Sequence, residues 1–305
     1  LVMLLFATFS STLMARQHIT MISLPGTSKY SDLVIEQFRS ETRYPKPALQ
    51  VVEEDVAFKS FCKGVGIEHP DILIASRRLS SKEERSCQLN SVGPTHELKF
   101  GYGALVLIVN KINNLSNLTT QDISRSISLY GGESRKRGER LPSHWAALNN
   151  RLPSTQISWI FPPSPSETVN RLIDLLANDG CDLRTKSLCK SLREDGVIVT
   201  NQVSPVENNK HSPNDNTIIL DTLANQVLSP LSATKLLSIN SRLPKQRTIQ
   251  LNHYPLTFPL YLYVKVRHLE IIPGLVAFLE TWTNEDTWGD KGFLKIKGLV
   301  PLTKT

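Results

Sequence analysis

Asp71-Ile72-Leu73-Ile74-Ala75-Ser76 is a short, unbroken apolar run between Pro70 and the pair Arg77-Arg78. A run of this length and composition reads as a buried strand. Before it, Phe58, Phe61, Cys62 and Val65 mark a helix that closes near Gly64 or Gly66. After it, Ser81 and Glu84 have the spacing of a capping box for a helix running through Cys87. Further upstream, His18 to Leu24 alternates as a strand does. Pro25-Gly26-Thr27-Ser28 is a turn, and Tyr30, Leu33, Val34 and Phe38 recur at helical spacing. Leu49 to Val52 is a further short strand. Strands alternating with helices predict an α/β fold on a parallel sheet. Ligands of such sheets bind beyond the carboxyl ends of the strands. Thr27, Ser28, Ser76 and Arg77 fall at such ends.

Downstream, His96 to Asn110 reads as one long strand. Gly101 and Gly103 inside it predict a bend or a crossing. Thr119 with Asp122 opens a helix, and Tyr130 to Ser143 is a Gly-rich, charged loop. Gln156 to Phe161 is a strand. Val169, Leu172, Ile173 and Leu176 mark a helix ending near Gly180. Ser204 to Asn216 is polar and loop-like. Tyr254 to Val266 is a strand returning to the first domain, and Pro273 to Thr283 a helix with proline at its start.

The chain has 305 residues, 40% hydrophobic and 21% charged, enough for two globular domains. Leu1 to Met14 is uncharged and apolar or small, too short to span a bilayer, and matches the core of a signal peptide cleaved near Ala15. Export permits disulfides, and the four cysteines suggest two local pairs, Cys62 with Cys87 and Cys181 with Cys189. Four reduced structural cysteines are the alternative. The net charge of +7 is spread out, apart from the run Arg135 to Arg140. Basic residues are not interleaved with aromatics, which argues against a nucleic-acid partner.

Hydroxyl groups at helix starts are the best chemical signal. A helix N-terminus offers free N–H groups and the positive end of its dipole to an anion. Thr27-Ser28 and Ser166-Thr168 are two such places, and Arg77 adds a fork-shaped cation. Ordinary N-capping is the competing reading of each. There is no G-x-S-x-G, no P-loop and no G-x-G-x-x-G. The seven histidines are scattered, with none paired at i, i+4. No enzyme, metal or cofactor is expected.

Several stretches together resemble the periplasmic phosphate-binding proteins of the Pst-type ABC transporter, in their alphaproteobacterial form. They are Phe58-Lys59-Ser60-Phe61-Cys62 with Gly64-Val65-Gly66, Pro70 to Arg78, Gly101 to Asn110 with Asn117-Leu118-Thr119, and Tyr254 to Tyr261. Arg193-Glu194-Asp195-Gly196 and Asn214-Asp215-Asn216 add to them. The resemblance implies a type II periplasmic binding protein, with two α/β domains joined by two crossover strands and a ligand cleft between them. It implies a signal peptide over 1–15, one domain formed by 16–100 plus 259–305, and a second by 101–258. It implies both disulfides, a phosphate or similar oxyanion as ligand, a membrane permease as partner, and a monomer in the periplasm.

The departures fall on the ligand loops. The family's first loop is Gly-Ser-Ser-Thr, where this chain has Pro25-Gly26-Thr27-Ser28. Its second is rich in Gly, Ser and Thr, where this chain has Glu53-Glu54-Asp55-Val56-Ala57. Its Ser-Gly-Thr-Arg at a helix start is here Ser166-Glu167-Thr168-Val169. Carboxylates therefore stand where donors to an anion belong, and repel it. Thr27, Ser28, Ser76, Arg77, Ser166 and Thr168 are the donors left to a degenerate phosphate site. Two readings follow: a transport receptor for an oxyanion, or a relic of that fold that binds another ligand or a protein.

Overall fold

The computed structural model describes residues 16–129, 140–164, 166–177, 191–200 and 216–303. The segment Leu1 to Ala15, most of the basic run at Arg135, the pair Cys181 and Cys189, and all but Asn216 of the polar loop after Ser204 lie outside the described residues.

Alternation along neighbouring strands decides how the first half packs. β1 (Thr20–Ser23) lies between β2 (Ala48–Val51) and β3 (Ile72–Ala75), parallel to both. Ile72 and Ile74 of β3 and Met21 of β1 join a cluster with Val34 and Phe38 of α1 (Ser28–Glu41). Leu73, Ala75 and Ile22 face the opposite side, against Phe58 and Phe61 of α2 (Glu54–Phe61) and Cys87 of α3 (Ser81–Leu89). Period-two alternation thus gives the sheet two apolar faces, each covered by helices.

The long strand arrives as expected. β4 (Thr95–Asn110) is followed by β5 (Asn117–Leu118), α4 (Thr120–Ile127), α5 (Trp145–Leu148), β6 (Ser158–Phe161), α6 (Glu167–Leu176) and β7 (Ile198–Thr200). Then come β8 (Thr217–Thr222), α7 (Leu223–Leu228), β9 (Thr234–Leu236), β10 (Ser238–Ile239), α8 (Gln246–Gln250) and β11 (Thr257–Lys265). α9 (Leu275–Thr283), α10 (Glu285–Trp288) and α11 (Phe293–Ile296) complete the order. The main sheet runs β2-β1-β3-β11-β4-β8-β6-β7, with β9 also on β4, and β5 pairs with β10 in a small second sheet. The expectation of a parallel sheet is corrected here. β11 is antiparallel to both β3 and β4, and β4 is antiparallel to β8, so two parallel groups are joined through antiparallel strands.

β4 spans both halves. Its residues from Thr95 to Ala104 pair with β11, and those from Leu105 to Ile108 pair with β8. The two glycines mark close approaches at the crossing. A Cβ on Gly101 would lie 2.6 Å from Leu299 Cδ1, and one on Gly103 would lie 2.5 Å from the Phe258 ring. Beyond the crossing, Leu105, Leu107 and Val109 pack with Trp145, Trp159 and Leu172 in a separate core.

Some boundaries shift. The capping box of α3 is Ser80 with Glu83, one residue before the expected pair. The Ser80 hydroxyl accepts the Glu83 N–H, and the Glu83 carboxylate accepts the Ser80 N–H. α2 stops at Phe61, leaving Val65 outside it, and α6 stops at Leu176. α9 begins at Leu275 behind Gly274, whose φ of +79° favours glycine. Among the described residues no helix is long and apolar enough to cross a membrane.

Cys62 and Cys87 form a disulfide between the end of α2 and α3, closing a separation of 25 residues. Loop-closure reasoning puts its contribution at about 3 kcal/mol. Replacing both cysteines by serine is expected to remove that amount in urea unfolding, with an m-value no smaller than the parent's. A loss under about 1 kcal/mol would mean that the reduced chain keeps this loop closed.

Candidate functional site

The loops after β1 and β3 meet the start of α6 between the two halves of the chain. Ser76 lies at the centre, buried, one residue past β3. Its single hydroxyl hydrogen points to Glu167 Oε1 at 3.0 Å, nearer than Glu54 Oε2 at 3.4 Å. Its lone pairs face Arg171, whose terminal nitrogen donates to Ser76 Oγ and to Glu54 Oε2. Arg77 donates through Nε to Glu54 Oε1 and grips Glu83 bidentately at 2.8 and 2.9 Å. Its guanidinium carbon sits 4.1 Å from the centroid of the Phe58 ring. Glu167 Oε2 accepts the Gly26 N–H at 2.9 Å.

The network sets two cations against three carboxylates at its centre and is acidic at its rim. Two guanidinium groups face Glu54, Glu83 and Glu167. Glu53, Asp55 and Asp174 line the adjoining cleft of about 400 Å³. Burial pushes the Glu167 carboxyl above its usual range, opposed by the Gly26 and Ser76 hydrogen bonds and by Arg171. Glu83 is held below its usual range: its hydrogen bonds from Arg77 and Ser80 outweigh the opposing effect of burial. Behind Glu167, between Tyr30, Leu105, Phe258 and Leu260, the remaining space is only about 20 Å³, room for about one water.

The predicted donors separate into different roles. Thr27 is buried and turns its hydroxyl back on the end of β1, 2.9 Å from Ser23 Oγ and accepting the Leu24 N–H at 3.2 Å. The Thr27 and Ser28 N–H groups both return to the Leu24 carbonyl. Within Gly26–Ser28, only the Gly26 N–H is directed to Glu167. The Ser28 hydroxyl donates to the Pro25 carbonyl at 3.0 Å. Ser166 caps α6 by accepting the Val169 N–H at 3.3 Å. Thr168 lines the small space behind Glu167. Ser76 and Arg77 alone of the six have side chains in the central network.

Arg171 was not among the predicted residues. The available signal was its i, i+4 spacing from Glu167, which puts both on one face of the first turns of α6. Arg193, in the Arg-Glu-Asp-Gly stretch, is structural. It pairs bidentately with Asp195 and donates to the Ser126 and Pro142 carbonyls.

Comparison with known proteins places this geometry in context. The PBP superfamily domain matches residues 18–285. The phosphate-binding protein PstS of Borreliella burgdorferi is 24% identical over 228 residues, 74% of this chain and 72% of that one. SphX of Synechococcus elongatus is 24% identical over 148 residues, which spans 48% of this chain and only 40% of SphX. Among solved structures, an ABC-type phosphate transport receptor from Vibrio cholerae superposes with a TM-score of 0.66 at 15% identity, over 93% of this chain and 100% of that one. PstS from Borrelia burgdorferi superposes with a TM-score of 0.64 at 19% identity, over 95% and 100%.

Proposed function

Since the chain belongs to the PBP superfamily, we propose that it is a solute-binding protein of an ABC transporter, carrying phosphate or a similar oxyanion to a membrane permease. It works in the periplasm as a monomer and is not an enzyme. Residues 16–100 with 259–305, and 101–258, are the two jaws. One observation carries the oxyanion reading. The Gly26 N–H, the Ser76 hydroxyl and the Arg77 and Arg171 guanidinium groups converge between the jaws, and every one of them is met by a carboxylate oxygen. A carboxylate is itself an oxyanion, so this donor set suits that class of ligand. Ser76, Arg77 and Arg171 are assigned direct contact. Thr27, Ser28, Ser166 and Thr168 shape the loops around it. The relatives named for phosphate support that anion within the class.

A second reading has its own observation: Glu54 and Glu167 already lie on the donors. It describes a degenerate binding fold with little phosphate affinity that takes another ligand or a protein partner. Calorimetry with inorganic phosphate on the oxidised chain separates the two. Binding that weakens at least about tenfold in Arg77→Ala supports the first. No heat up to millimolar phosphate, from a chain shown to be folded, selects the second.

A further inference from the structure

We infer that Glu167 is an internal ligand: its carboxylate occupies the oxyanion position between the jaws and ties them together without solute. Both of its oxygens are used, and both partners belong to the opposite jaw. Oε2 accepts the Gly26 N–H from the loop after β1, and Oε1 accepts the Ser76 hydroxyl after β3. One turn further along α6, Arg171 adds a second bridge to that jaw through Glu54 and Ser76. α6 thus reaches across the cleft with one anion and one cation, each meeting its complement. The approach of the loop to the carboxylate is close. A Cβ on Gly26 would stand 3.0 Å from Glu167 Oε2, tighter than an ordinary contact. Behind the carboxylate there is space for about one water and none for a tetrahedral oxyanion, and the acidic cleft of about 400 Å³ lies on its other side, away from the Gly26 N–H. Ser76 has one hydrogen to give and Gly26 one N–H, so a free oxyanion gains these donors only when Glu167 leaves them.

The consequence is competition. A tethered carboxylate already at the donors acts at high effective concentration. A solute's apparent affinity falls by the fraction of molecules in which the carboxylate has swung away. Glu167 therefore sets which solutes, and how much of them, open the cleft. This rests on the reading of the cleft as a ligand cleft, but not on phosphate as its ligand.

The test uses the oxidised full chain, Glu167→Ala, and Glu167→Gln. In Gln the amide can accept at one oxygen but meets the other donor with N–H groups. Small-angle X-ray scattering without added solute is expected to give a larger radius of gyration for both variants than for the parent chain. Inorganic phosphate is expected to bind Glu167→Ala roughly 100-fold or more tighter than the parent and to compact it. Equal radii for the parent and both folded variants would overturn the inference. So would parent binding of phosphate as tight as that of Glu167→Ala. Variants that open but take up no phosphate would uphold the internal ligand and overturn the oxyanion reading. If Glu167→Ala does not fold, the scattering of Glu167→Gln decides alone.

Discussion

Asp71→Asn is expected to cost about 3–5 kcal/mol of folding stability, the largest loss from any single polar change in the first half. Asp71 is fully buried at the start of β3. Its Oδ2 accepts the Thr20 N–H at 2.7 Å, fixing the register of β1 against β3. Its Oδ1 accepts from both the Arg16 guanidinium and His268 Nδ1. His268 continues through Nε2 to the Val65 carbonyl, and Lys265 Nζ donates to the Gly64 carbonyl beside it. The cluster therefore ties β1, β3, the end of β11 and the loop after α2 to one carboxylate. Asparagine keeps the shape but exchanges one acceptor for two N–H groups. Whichever way the amide is turned, it presents hydrogens either to Thr20 N–H or to Arg16 and His268. The lost charge leaves the Arg16 guanidinium without its counter-ion in a largely buried place. Urea unfolding, read at constant m-value, measures the loss, with a fall in Tm on the order of 10 °C. A change under about 1 kcal/mol would show that Arg16 and His268 find other acceptors.

This cluster was invisible in the sequence, although Asp71 stands at the head of the run that decided the fold. The run itself was legible because four consecutive buried positions need apolar side chains whatever surrounds them. Its polar edge was not, because Arg16 and His268 reach it from 55 and 197 residues away. The same division holds elsewhere. The glycines of β4 signalled a crossing from composition alone, and close approach of Leu299 and Phe258 accounts for them. β8 escaped notice: six residues behind a polar stretch, buried along most of their length, show neither alternation nor turn signals. Yet it is the strand that joins β4 to the parallel group of the second half. The capping box was displaced by one residue because Ser80–Glu83 and Ser81–Glu84 have identical spacing. Glu83 also engages Arg77, a pairing that spacing alone does not reveal.

The loops of the candidate site show the same limit more sharply. The sequence located the loops and their excess of carboxylates. It did not show that Glu54 faces inward between two arginines while Glu53 and Asp55 line the outer cleft. Nor did it show that Thr27 turns away from the cleft. A hydroxyl at a helix start has two directions open to it, and here the end of β1 takes it.

Arg171→Met is expected to cost about 3 kcal/mol at neutral pH, and the loss is expected to shrink in mild acid. Arg171 is buried, and methionine fills much of its volume. Its Nε has no hydrogen-bond partner among the described residues, so removing that group relieves a small cost. The larger effect is on the carboxylates left behind. Glu54 keeps Arg77, but Glu167 loses the guanidinium of Arg171, which opposes the effect of its burial. The sign follows from proton binding. Burial holds the folded Glu167 carboxyl above its unfolded value, so between the two values the folded chain binds more protons. Its favourable contribution is present below the unfolded value and is lost as pH rises through the folded one. Without Arg171 the folded value rises further, so the variant loses more on going to neutral pH than the parent does. Urea unfolding of both chains at about pH 7.5 and about pH 5 should show the gap between them narrowing in acid. A gap that stays constant would mean that Arg171 acts through packing against Phe258 rather than through the charge of Glu167. Repeating the pair in a Glu167→Gln background gives the coupling directly. If the pH dependence of the gap disappears there, the cation and the internal carboxylate of α6 form one functional unit across the cleft.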